Sequence, residues 1–90
     1  MFYTYILISL RDGQLYIGYT PDLKERLKAH NGGFVKSTKH RRPLTLIHYE
    51  TFLTDEDALR REAYLKGGNG HSEMKVLLRN TFRKVGYKYY

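Results

Sequence analysis

The sequence predicts a small α+β fold: a three-stranded antiparallel sheet flanked by helices, in the order ββαβαα. Three observations carry this. Two β-rich runs bracket Arg11-Asp12-Gly13, a third run, PLTLIHYETFL, lies mid-chain, and helix start and stop signals frame the remainder. So small a sheet cannot bury its own faces, so helices must pack against it.

The first two strands are expected at Phe2–Ser9 and Leu15–Tyr19, joined by a hairpin turn with Gly13 in the bulge position. That turn pairs Leu7 with Tyr16 and puts Tyr5 and Tyr16 on one face, diagonal to one another. A slip of one residue would send the two phenols to opposite faces. The next segment, YTPDLKERLKAHNGG, holds a helix with Thr20 as the expected cap and Pro21 as its first residue, ended by Asn31-Gly32-Gly33. A basic loop follows and ends at Pro43, where the third strand, Leu44–Leu53, begins. Thr54-Asp55-Glu56-Asp57 is a capping pattern; it opens a helix running to Lys66 and stopped by Gly67-Gly68. The last helix is expected from a cap at Ser72, with Met74, Leu77, Leu78, Thr81, Phe82 and Val85 forming one apolar stripe.

Ninety residues suit a single domain over 1–90, with 41% hydrophobic and 28% charged residues, as in a soluble globular protein. No apolar run approaches the ~18 residues of a membrane span, and no secretory leader opens the chain. The absence of cysteine excludes disulfides, thiolate zinc sites and a cysteine nucleophile, and the expected compartment is the cytoplasm. Net charge is +7, concentrated in KSTKHRR, where Lys36, Lys39, Arg41 and Arg42 surround His40 without an acid. Such a loop suits phosphates, and with the interleaved tyrosines it makes nucleic acid the leading partner. No helix pairs a basic face with a bulky aromatic one, so a membrane surface is not expected.

On the second helix, Leu59, Ala63, Ala58 and Leu65 define an apolar stripe, and Glu62 falls within it at about 300° when Leu59 is 0°. A carboxylate there is partly buried, which calls for an ionic partner, a proton or a bound cation. Arg60 and Arg61 point elsewhere on the wheel. On the first helix, Arg26 and His30, four residues apart, flank the Leu23–Leu27 stripe. Each alone reads as a structural ion pair or a satisfied core imidazole. Together, an inward carboxylate, arginine and histidine in a basic domain suit phosphodiester chemistry, with a hard cation on Glu62 and Arg26 against the phosphate. His30, His40, His48 and His71 show no paired zinc-binding spacing.

These residues resemble the GIY-YIG nuclease superfamily, in particular its small stand-alone members. Tyr16-Ile17-Gly18 is the second half of the name motif, and Tyr3-Thr4-Tyr5 replaces the first half while keeping its tyrosine. The segments GYTPDLKERLKAHNGG, STKHRRPLTLIHYE and ALRREAYLKG are similar to later family motifs, and the resemblance runs from Phe2 to about Phe82. It implies phosphodiester hydrolysis with one divalent ion, Mg²⁺ or Mn²⁺, held by Glu62. It also implies that Tyr5 and Tyr16 are the active-site tyrosines and that Arg26 stabilises the phosphate; His30 matches the histidine that follows the family's arginine, and its imidazole could accept the phenol proton in a relay. The family's late asparagine has Asn80 as its candidate here, with Asn69 as the fallback. The leading expectation is a DNA endonuclease acting in repair or recombination, a reading that extends to branched, nicked or distorted DNA. RNA as substrate, and a non-catalytic nucleic-acid-binding module on the same fold, are the alternatives.

Overall fold

The structure is a computed structural model, and it describes residues 1–88. β1 (Phe2–Ser9) and β2 (Leu15–Thr20) form the expected hairpin, and β3 (Leu44–Phe52) pairs with the other edge of β1. The resulting antiparallel sheet has the order β2-β1-β3. Leu7 faces Tyr16 and Tyr5 faces Gly18, so the register read from the turn holds. β1 is central, and every residue from Thr4 to Ser9 is buried, which explains its continuous apolar run. The turn is fastened by Ser9, whose hydroxyl accepts from the Arg11 and Asp12 amides at 3.2 and 3.1 Å and donates to the Arg41 carbonyl.

Strand alternation divides the core into two layers. On one face Tyr5, Leu7 and Leu44 pack with Tyr16 and with Leu23 and Leu27 of α1 (Leu23–Asn31). On the other, Ile6 and Ile17 meet Leu65 of α2 (Asp55–Lys66), Met74 of α3 (Gly68–Leu77), and Leu78 and Phe82, the latter on α4 (Arg79–Val85). A short 3₁₀ turn, Lys39–Arg41, lies within the basic loop.

Three local expectations are corrected. Helix α1 is capped by Asp22, whose side chain accepts from the Glu25 amide at 3.1 Å, because Thr20 remains in β2 paired with Tyr3. Pro21 therefore precedes the helix. The expected last helix is two: α3 starts four residues before Ser72, and the chain breaks at Leu78 before α4. Gly70 permits the early start, since a side chain there would come within 2.5 Å of the Leu65 Cα. Ser72 is consequently inside the helix, with its hydroxyl donating to the Gly68 carbonyl. Met74, Leu78 and Phe82 keep the buried stripe across the break, while Leu77 is exposed. On α2 the buried line is Ala58 and Leu65; Leu59 and Ala63 face outward, so Glu62 flanks the stripe instead of sitting at its centre.

Candidate active site

The site is built on the α1-covered face of the hairpin. Tyr5 is fully buried, and its ring lies across the neighbouring strand over Gly18. Its ring centroid is 6.3 Å from that of Tyr16, which is half-buried on β2. Helix α1 brings His30, also fully buried, edge-on to both phenols at 5.7 and 5.1 Å. One turn earlier, half-buried Arg26 donates from Nε to the Tyr5 oxygen at 3.4 Å.

Tyr5, His30 and Thr38 form one buried hydrogen-bonded chain. The Tyr5 hydroxyl, which accepts from Arg26, shares a hydrogen bond of 2.8 Å with His30 Nε2. His30 Nδ1 in turn shares a hydrogen bond of 2.7 Å with the Thr38 hydroxyl. Thr38 is fully buried in the basic loop. Burial, reinforced by the charge of Arg26, pushes the His30 pKa down to about 4, so the imidazole is neutral near pH 7. Burial also raises Tyr5 above the ordinary phenol range; it outweighs the opposing hydrogen bond from Arg26, and the nearby Tyr16 and Glu62 act in the same upward direction. The phenol beside Arg26 holds the guanidinium above its own ordinary range.

Glu62 projects from the flank of α2, with a side chain 21% exposed, and pairs with Lys66 at 3.2 Å. Its negative charge is the smallest of the influences on Tyr5, and α2 itself packs on the opposite layer. Among the described residues no three His, Cys, Asp or Glu side chains cluster into a metal cage. One half-buried carboxylate, its remaining positions open to water and phosphate oxygens, fits Mg²⁺ chemistry and not a structural zinc centre.

The remaining candidates divide. Lys36, Lys39, His40 and Arg42 are exposed along the loop. Arg41 is not available in the same way: it donates to Asp12 at 2.7 Å and to the Gln14 and Leu15 carbonyls, fastening the loop to the hairpin turn. Arg61 also departs from the wheel reading. It is half-buried and binds Glu50 at 2.8 Å and Glu73, joining β3, α2 and α3. Asn80 is exposed on α4 and Asn69 in the first turn of α3. Thr38 is a site partner that sequence reasoning missed; its only signal was the inward spacing of Val35 and Thr38 in an otherwise charged loop.

A family profile described as the GIY-YIG catalytic domain matches residues 1–75. The chain belongs to the GIY-YIG family. A UPF0213 protein of Staphylococcus saprophyticus is 40% identical over 76 residues, covering 83% of this chain and 92% of that protein. A UPF0213 protein of Clostridium perfringens is 34% identical over 89 residues, 98% of this chain and 95% of the other. The solution structure of a UPF0213 protein from Bacillus halodurans superposes with a TM-score of 0.52 at 34% identity, covering 86% of this chain and 85% of that one. This GIY-YIG chain is thus similar over nearly its whole length to small proteins of its own size. No helix among its described residues is long and apolar enough to cross a membrane.

Proposed function

We propose that this GIY-YIG chain is a DNA endonuclease, working as one domain over residues 1–90 in the cytoplasm and serving repair or recombination. The observation that carries the reading is the meeting of two phenols, a histidine and a guanidinium on one face of the sheet. A divalent cation held by Glu62, Mg²⁺ or Mn²⁺, would supply Lewis-acid activation of a phosphate oxygen.

The chain's own residues divide the remaining work. Arg26 keeps its charge at any working pH and faces the phenols, where it can neutralise charge developing on the phosphate. Tyr5 stays protonated near pH 7 and serves as a fixed hydrogen-bonding group. His30, with a pKa of about 4, cannot retain a phenol proton at neutral pH, so a relay ending on its ring is uphill. We read His30 as a positioning residue that orients Tyr5. That leaves Tyr16, half-buried beside it, as the phenol able to meet an attacking water. Lys36, Lys39, His40 and Arg42 form the phosphate-binding surface.

The test incubates the protein with linear, flap, forked and four-way DNA, in Mg²⁺ or in EDTA, alongside Glu62→Gln. Metal-dependent cutting that disappears in the variant, with DNA binding retained, is the expected result. Metal-independent binding by both proteins without any cutting would instead make the chain a binding module.

A further inference from the structure

Phe34 is 84% exposed, more than any other aromatic side chain among the described residues. Its neighbours Val35 and Thr38 turn inward and are buried, so the loop has an interior that this ring does not use. The ring is nonetheless held in place. The Phe34 amide donates to the Ala29 carbonyl at 2.9 Å, closing helix α1. The ring rests on Gly32, where a Cβ would fall 2.8 Å from its Cδ2 and Cε2 atoms. On the adjacent Gly33 lies the Arg42 guanidinium, where a Cβ would fall 2.8 Å from Cζ. The Arg42 Nε donates to the Lys39 carbonyl at 2.8 Å, which fixes that side chain too. Two consecutive glycines therefore seat a bare aromatic ring and a planar cation on neighbouring residues.

The chemistry around the ring points to its partner. The exposed side chains along the loop include Lys36, Lys39 and Arg42, with Ser37 and His40 between them and no acid. An apolar protein partner would meet no apolar companions here. A polyanion carrying flat π-faces would meet both a stacking surface and countercharges. Within a paired duplex those π-faces are stacked on one another, and they become available where bases are unpaired. The loop is also tied to the catalytic face, because Thr38 binds His30 and His30 binds Tyr5.

We propose that Phe34 stacks on an unpaired nucleobase while Lys36, Lys39 and Arg42 hold the flanking phosphates, so that the loop selects DNA with bases out of the duplex stack. The proposal rests on the nuclease reading above and adds the feature of the substrate that the loop recognises.

The test measures binding in EDTA to two labelled DNAs with equal numbers of phosphates, one fully paired and one with a central unpaired stretch. Wild type is expected to prefer the unpaired DNA. Phe34→Ala is expected to lose about tenfold on that DNA, ~1.4 kcal/mol, with its duplex affinity and salt slope unchanged. Phe34→Trp is expected to restore the preference. The chain has no other tryptophan, so the new indole fluorescence reports stacking directly and should be quenched by the unpaired DNA alone. Equal losses on both DNAs, no loss on either, or quenching by the paired duplex would overturn the stacking role while leaving the nuclease reading intact. Failure of the wild type to bind any DNA would overturn both.

Discussion

Tyr5 and Gly18 face each other across β1 and β2, and the Tyr5 ring occupies the space that any side chain at position 18 would need. The glycine of the Tyr-Ile-Gly motif is thus a packing requirement of the phenol beside it. Only with that space open can the Tyr5 hydroxyl reach past its neighbouring strand to both Arg26 and His30.

Gly18→Ala follows directly. Its Cβ would stand 2.9 Å from the Tyr5 Cε1 and closer still to the hydroxyl, so the ring must move and its bonds to His30 and Arg26 must break. The expected cost is roughly 1–3 kcal/mol, as for other overpacked cores. Urea unfolding checks it: a midpoint equal to wild type would show that the ring can relocate freely.

The His30 environment predicts a pH dependence of stability. Its pKa is about 4 in the folded protein against an ordinary 6.5, so in this interval the unfolded chain binds a proton that the folded one rejects. The contribution is complete above the ordinary value and is lost as pH falls toward 4. Between pH 7 and pH 5 the expected loss is roughly 2 kcal/mol. His30→Gln should flatten that part of the curve. Thr38→Val, which removes the hydroxyl that His30 Nδ1 bonds inside the core, should cost about 1–3 kcal/mol at neutral pH. A profile that keeps its wild-type slope after His30 is replaced would assign the dependence to other groups.

The hairpin register and the convergence of Tyr5, Tyr16, Arg26 and His30 were legible because each rests on a short-range rule, a turn type or a four-residue helical step. Glu62 was legible as a half-buried carboxylate, but the stripe around it was misplaced. The wheel took Leu59 as its reference, whereas the sheet approaches α2 through Ala58, whose carbonyl accepts from Thr4 Oγ1 at 2.6 Å. The start of α3 was hidden by glycines of low helix propensity, which tertiary packing of Gly70 on Leu65 overrides. Arg41 and Arg42 are neighbours of identical type, and their roles are separated by partners far away in sequence, Asp12 and the Gln14 and Leu15 carbonyls, which hold Arg41.

That separation is measurable. Arg41→Ala removes the bonds to Asp12 and to two hairpin carbonyls, at an expected stability cost of about 1 kcal/mol or less for a part-exposed pair. Lys36→Ala, Lys39→Ala and Arg42→Ala should leave the unfolding midpoint nearly unchanged. They should weaken DNA binding on every sequence and reduce its dependence on salt concentration. Titrations at several salt concentrations, paired with urea curves, check both halves. A flatter salt slope in Arg41→Ala than in Lys39→Ala would reverse the assignment.

Arg26 couples the chemistry to the buried pair. In Arg26→Ala, cleavage is expected to fall roughly 10²- to 10³-fold, the usual cost of losing one charged donor at a reacting oxyanion. The same substitution removes the cation that, after burial, holds the His30 pKa down, so the imidazole should titrate above about 4. It also removes the hydrogen bond that opposes burial at Tyr5, so that phenol should rise further. Arg26→Lys keeps a positive charge but not the fixed Nε donor; His30 should then stay low while cleavage still drops. Imidazole resonances followed by NMR from pH 3 to 8 give the first quantity, and single-turnover cleavage gives the second. If His30 titrates identically in wild type and Arg26→Ala, the guanidinium does not act on that ring, and the site's electrostatics have to be sought elsewhere.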